Sequence, residues 1–488
     1  MKREYKFFFA GLFILICLFA FLLLSEKKSA EQTAPKKEKA KKEEPVVSFA
    51  DKGPVEIPFM MPEIPEVSFP DRVCPITDYG AIGDGQFMNT KNFAEAIADC
   101  AKKGGGKVVV PAGNWLTGPI HLQSNIDLDL QEGSKILFSD KFSDYLPVVF
   151  SRFEGTELYN YSPFIYAKNC QNVAITGSGE LDGQGKAWLK WNDIQANSVA
   201  ELYGANVIPE ELSIEKLYNM ARRGIPVEKR IFGNEQDALQ PSFIQFVNCN
   251  KILLEGIKII NSPSWTIHLL YSSNMIVRNI EIDTDGRNTD GIVLDSSKNV
   301  IIENSTLGAG DDAVVLKSGK DRDGWRIGKP TENIIIHDLK IAKGHSGIAL
   351  GSEMSGGIKN VLAYNINIQS SDYGIRFKAM RGRGGIVEKI WIKNIFIQRA
   401  KSDAIQMDMN YGTPLPDYAK NRPPVFRDIN INDLECHRAK NAATLTGLSE
   451  SPLENVTLQN INISSKNGIV SENLKNEKFE NVVVETTK

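Results

Sequence analysis

From Asn172 to the C-terminus one short pattern keeps returning: a polar residue, mostly Asn, followed by β-branched or other aliphatic residues. It reads Asn172-Val173-Ala174-Ile175, Asn274-Met275-Ile276-Val277, Asn299-Val300-Ile301-Ile302, Asn333-Ile334-Ile335-Ile336 and Asn360-Val361-Leu362, and again at Asp428, Asn455 and Asn481. The spacing is irregular, roughly 24 to 39 residues, as in a solenoid whose coils carry loops of unequal length. Each repeat holds short strands and no helix-length amphipathic stretch, which fits leucine-rich or helical repeats poorly. Parallel β-coils fit well: each coil buries its Ile and Val against its neighbours, while a corner Asn takes the left-handed conformation and bonds backbone. A β-sandwich or propeller would show regular hairpin turns or a fixed blade period, and neither is visible. The expectation is an all-β chain of stacked parallel coils.

A solenoid needs caps. Asn89 to Ala101 has helical spacing, with Phe93, Ile97 and Ala101 on one side, and Gly104-Gly105-Gly106 stops it. This predicts a short N-terminal helical cap. Between Gly185 and Gln240 the repeat gives way to helical character, Glu210 to Arg223, in an insertion too long for a simple connection and placed as a wall beside the charged coils. Before all this, Lys2, Arg3 and Lys6 precede an apolar run from Phe7 to Leu24. That is the build of an export signal, or of an uncleaved anchor if no cleavage follows. Residues 25–70 are rich in Lys, Glu and Pro and predict a disordered linker. The expected organisation is thus 1–24 signal or anchor, 25–70 linker, and 71–488 a single catalytic domain, in an exported protein that is periplasmic, membrane-anchored or secreted.

Lys+Arg 57 against Asp+Glu 60 leaves a net charge of −3, which argues against nucleic-acid binding through bulk positive charge. An acidic ligand must therefore be held by a local basic cluster. Cys17 lies in the apolar run, and the other five cysteines are scattered without metal-ligand spacing, so no disulfide framework or zinc site is implied.

Charged residues recur at coil spacing. Asp290 lies in Asn288-Thr289-Asp290-Gly291, and Asp311-Asp312 follow in Gly308-Ala309-Gly310-Asp311-Asp312. His345, then Arg376 and Lys378, come at further coil-length intervals, so four coils can offer acids, an imidazole and two cations to one groove. Consecutive strand residues point to opposite sides, so Asp311 and Asp312 share a groove only if the chain turns, which Gly308 and Gly310 permit. A lone Asp at a strand end is most often a turn residue, and His345 or the Arg376–Lys378 pair alone would be an ordinary polar face. Three clustered carboxylates are different: repulsion raises one proton affinity while another stays ionised, which is what acid–base catalysis requires. Calcium is the other use of three acids, but the cations nearby disfavour it.

The ordered motifs Asn-Thr-Asp, Gly-Asp-Asp, Gly-His and Arg-x-Lys resemble those of the pectin-degrading glycoside hydrolases of family 28, the polygalacturonases. The resemblance runs from about Pro75 to the C-terminus and takes in Asp182-Gly183-Gln184-Gly185, Asn261 to Trp265 and Leu350 to Gly357. Ser346, Phe377 and Gln240-Pro241 depart from the family's usual residues, which bears on subsites and not on reaction class. The resemblance implies a right-handed parallel β-helix and inverting hydrolysis of an α-1,4 galacturonide, with no metal or cofactor. It implies Asp311 as general acid and Asp290 and Asp312 as the residues that orient and deprotonate water. His345 would bond Asp311 or the substrate. Arg376 and Lys378 would bind the uronate carboxylate, and Tyr411 the sugar. The insertion and the Arg381-Gly382-Arg383 loop resemble features of bacterial exo-acting members. The implied partner is pectin or polygalacturonate, met by a monomer with no nucleic-acid contact and no membrane contact beyond an N-terminal anchor. A rhamnogalacturonan or xylogalacturonan hydrolase of the same family, a pectate lyase and a silent sugar-binding solenoid are the alternatives.

Overall fold

The computed structural model describes residues 55–189, 191, 213–234, 237–412 and 421–487, and the apolar run Phe7–Leu24 and residues 25–54 lie outside them. The chain is all-β, with strands of successive coils paired in parallel and in register. The ladder that carries the charged residues runs through Ile244–Val247, Ile267–Leu270, Ile292–Asp295, Val314–Lys317, Thr331–Gly351, Ser371–Lys378 and Asp403–Asp408. Ile267, Ile292, Val314, Ile348, Ile375 and Ile405 form one row, and Leu269, Leu294, Leu316, Leu350, Phe377 and Met407 form the next inward row. Both rows belong to one continuous apolar core. Alternation then sends the intervening residues outward, among them Arg376, Lys317 and Lys378.

The corner asparagines behave as their residue type allows. Asn172, Asn274, Asn299, Asn333, Asn360, Asp428, Asn455 and Asn481 all have φ between 50° and 59°. The side-chain amides of Asn299, Asn333 and Asn360 each donate to the asparagine one coil before, at 2.9, 3.0 and 3.0 Å. These bonds satisfy polar groups at the turn and pin each coil's register to its neighbour.

The cap helix spans Thr90–Lys102 and buries Phe93, Ala96, Ile97 and Cys100, so its inner face includes Cys100, with Ala101 at its edge. Gly105 after it has φ 101°, and a Cβ there would lie 2.2 Å from the carbonyl of Asn125. The insertion supplies the helix Ser213–Arg222. An antiparallel hairpin, Val149–Phe153 with Thr156–Asn160, was not legible in the repeat pattern. A further short helix is Asp321–Ile327.

Residues 55–70 correct part of the linker expectation. They carry no helix or strand, but Ser68 exchanges two hydrogen bonds with Asn172, at 3.1 and 2.7 Å, and the Phe59 ring lies tilted against Trp391, 5.9 Å between centroids. The cause is apolar residues set among the prolines: Phe59, Met61, Ile64, Val67 and Phe69 are all half-buried.

Candidate active site

A cleft of about 310 Å³ opens over the outward face of this ladder. Asp290, Asp311, Asp312, His345, Lys378 and Tyr411 all line it. The turn needed to bring Asp311 and Asp312 to one side is present: the chain bends at Gly310, Asp311 and Ala313 before the strand begins at Val314. Gly310 is required there, because a Cβ would meet the carbonyl of Gly286 at 2.2 Å and the hydroxyl of Thr289 at 2.4 Å. The bend lets both Ala313 and Val314 enter the core. The carboxylates are fixed by the ladder's main chain: Gly291 donates to Asp312 O at 2.9 Å and His345 N–H donates to Asp311 O at 2.8 Å.

The three carboxyl groups differ in charge. Burial, reinforced by the neighbouring charge of Asp311, holds Asp290 well above the usual carboxylate range. Burial and the adjacent Asp312 likewise raise Asp311. Asp312 is buried too, but Lys378 and Lys317 outweigh that cost and lower it. The ammonium of Lys378 donates to Asp312 Oδ2 at 2.7 Å. One ionised carboxylate therefore stands beside two that retain protons to higher pH.

Arg376 is placed differently from the sequence-based expectation. Its Nη1 donates to His345 Nε2 at 2.7 Å and its Nε to Gln406 Oε1 at 2.7 Å, and its guanidinium lies 3.7 Å from the centre of the Tyr373 ring. It is as buried as Lys378, and its partners His345 and Tyr411 line the cleft. Since Nε2 accepts, Nδ1 is the donor, and it meets Asp372 Oδ2 at 2.8 Å. The imidazole of His345 is thus bonded to Asp372 and Arg376, and only its main chain bonds Asp311. Tyr411 faces both cations, 5.3 Å from Arg376 and 5.7 Å from Lys378. Arg383 reaches the cleft. Arg381 is instead paired with Glu450 and Asn410 outside it.

Sequence reasoning gave no role to Lys317, Lys320, Glu353, Trp265 or Glu154, which line the same cleft. Lys317 donates to Glu353 at 2.8 Å and lies 3.8 Å from Asp290. Burial works against both charges of the Lys317–Glu353 pair, yet their attraction holds Lys317 up and Glu353 down. The available signal for Lys317 was its position: it ends its strand one residue past Leu316, as Lys378 does after Phe377.

Clustered, unequally ionised carboxyl groups over an open cleft are the equipment that acid–base glycoside hydrolysis requires. The comparisons agree. The family model described as glycosyl hydrolases family 28 matches residues 228–485, and the chain belongs to that family. It is 33% identical to a probable polygalacturonase of Vitis vinifera over 80% of this chain and 73% of that one. To an exo-poly-alpha-D-galacturonosidase of Dickeya chrysanthemi it is 26% identical, over 74% of this chain and 62% of that one. Among solved structures, the hyperthermoactive exopolygalacturonase of Thermotoga maritima aligns with TM-score 0.79 and 39% identity, covering 86% of this chain and 94% of that one.

Proposed function

We propose that this protein is an exo-acting polygalacturonase, a right-handed parallel β-helix that hydrolyses α-1,4-linked galacturonate in pectin with inversion. The carrying observation is the split within one cleft: Asp311 is displaced toward the protonated form while Asp312 is held ionised by Lys378. Asp311 is the general acid that protonates the glycosidic oxygen. Asp312 is the base that takes a proton from the attacking water, and Asp290, protonated to higher pH, orients that water. His345 and Lys378 face the sugar from the ladder. Arg376 positions His345, to which its guanidinium donates, and stands against Tyr411.

Exo action is supported by the 39% identical exopolygalacturonase and by the wall beside the cleft, where hairpin residue Glu154 accepts hydrogen bonds from Tyr218 and Asn288. The first 24 residues are read as an export signal or anchor, with the catalytic domain following as a monomer. Chromatography of products from polygalacturonate, beside rhamnogalacturonan and with and without a chelator, tests the reading. Monogalacturonate alone from the earliest times is expected. A ladder of oligomers overturns exo action, and an unsaturated product absorbing in the near ultraviolet overturns hydrolysis. Turnover confined to rhamnogalacturonan overturns the substrate.

A further inference from the structure

Four cations line the cleft: Lys317, Lys320, Lys378 and Arg383. Three already have a carboxylate. Lys317 holds Glu353 at 2.8 Å, Lys378 holds Asp312 at 2.7 Å, and Arg383 holds Asp321 at 2.6 Å. Among the described residues Lys320 has none. Its ammonium instead stands 3.4 Å from the centre of the Tyr218 ring.

The fold places this lysine with care. Its main-chain N–H donates to Gly155 O at 3.0 Å, at the tip of the hairpin. Gly155 has φ 78°, and a Cβ there would lie 2.8 Å from both N and Cβ of Lys320, so only glycine allows the approach. The charged groups around Lys320 are Glu154, Glu353, Asp321 and Arg383. Each acid is otherwise engaged: Glu154 by Tyr218 and Asn288, Glu353 by Lys317, Asp321 by Arg383. Burial, with Arg383 adding repulsion, pushes Lys320 down to about 8. The group is therefore charged at neutral pH, and an arriving anion would relieve its cost.

We propose that Lys320 is a specificity-determining residue that receives the carboxylate of a galacturonate unit, making the cleft select the free acid over its methyl ester. This rests on the galacturonan reading above. The other three lining cations are held by protein carboxylates, so among the described residues that line the cleft this is the ammonium whose charge the ligand completes. Neutralising the uronate by esterification removes the partner.

The test compares kcat/KM of wild type, Lys320→Met and Lys320→Arg on trigalacturonate and on its methyl ester. Lys320→Met should lose about ten- to a hundredfold on the acid, the range of a hydrogen bond to a charged group, and little on the ester. Lys320→Arg should keep most of the discrimination. Equal losses on acid and ester, or no loss on either, overturn the proposal. Should Lys320→Met fail to fold, the wild-type pH profile and Lys320→Arg carry the test. The ratio of kcat/KM on the acid to that on the ester, in which the limb set by Asp311 cancels, should fall as pH rises through about 8 and stay level in Lys320→Arg; a fall that the arginine leaves unchanged is a contrary result. A wild-type enzyme that cleaves acid and ester equally well defeats this proposal alone. One that leaves both untouched defeats the galacturonan reading and the proposal with it.

Discussion

Lys378 Nζ lies 2.7 Å from Asp312 Oδ2 with both side chains almost wholly withdrawn from solvent. A buried pair of this kind is weak evidence of net stability, because desolvation offsets much of the attraction. Its consequence is local: it keeps one carboxylate ionised among three that burial would otherwise protonate.

Removing the lysine strands that charge. Lys378→Met should therefore destabilise the fold by about 3–5 kcal/mol, the usual cost of leaving one member of a buried pair alone. It should also raise the proton affinity of Asp312 and move the acidic limb of the rate profile to higher pH. Urea unfolding together with kcat measured between pH 3 and 7 checks both effects. An unmoved acidic limb would show that Asp312 is not the base.

Asp311, the proposed acid, should supply the other limb. Because its carboxyl is raised, the acid form persists above the usual carboxylate range, and kcat/KM should decline as pH rises through that raised value. Asp311→Asn should lower kcat by about 10²- to 10⁴-fold, the usual contribution of a positioned acid, with KM nearly constant. Activated substrates with a good leaving group should recover part of the rate, since they need little protonation. Failure of an aryl galacturonide to rescue the variant would argue against the general-acid role.

The repeat was legible because it is imposed by packing: every coil needs Ile, Val or Leu inward and a left-handed corner, and Asn172 to Asn481 supply both. Asp290, Asp311, Asp312, His345 and Lys378 were legible because stacking converts coil spacing into proximity. Lys320 and Glu154 were not. They reach the cleft through the hairpin and the loop leading to the short helix at Asp321–Ile327, which interrupt the repeat, and no periodicity connects Gly155 with Lys320. Arg376 was legible as a ladder cation but not as His345's partner, because a two-residue alternation gives the face of a side chain and not its reach.

Asp290 sets activity against stability. Its folded proton affinity is raised by burial, so its contribution to stability is fully present below the unfolded value of about 3.9. That contribution is lost as pH rises through the raised folded value. Asp290→Asn cannot ionise and escapes the loss. The variant should be nearly inactive, equal in stability to wild type near pH 3.5, and more stable than wild type at pH 7, because the buried carboxyl no longer has to ionise. Paired thermal melts at the two pH values decide it, and a difference independent of pH would contradict the sign of the displacement.

The asparagine ladder can be divided into its two physical parts at Asn333. Its φ is 59°, its amide donates to Asn299 at 3.0 Å, and its carbonyl oxygen accepts from Asn360 at 3.0 Å. Asn333→Gly keeps the left-handed corner at no steric cost but removes both side-chain bonds, so it should cost about 1–3 kcal/mol at roughly 0.5–1.5 for each. Asn333→Ala loses the same bonds and keeps a Cβ in the left-handed region without the local side-chain bonding that lets asparagine tolerate it, so it should cost about 1 kcal/mol or more beyond glycine. Alanine should therefore be the worse substitution, reversing the order expected in a helix or a strand interior. Denaturant midpoints of the two variants measure the difference directly. If alanine proves equal to glycine, the corner conformation carries no energetic weight and the amide bonds alone hold the coils in register.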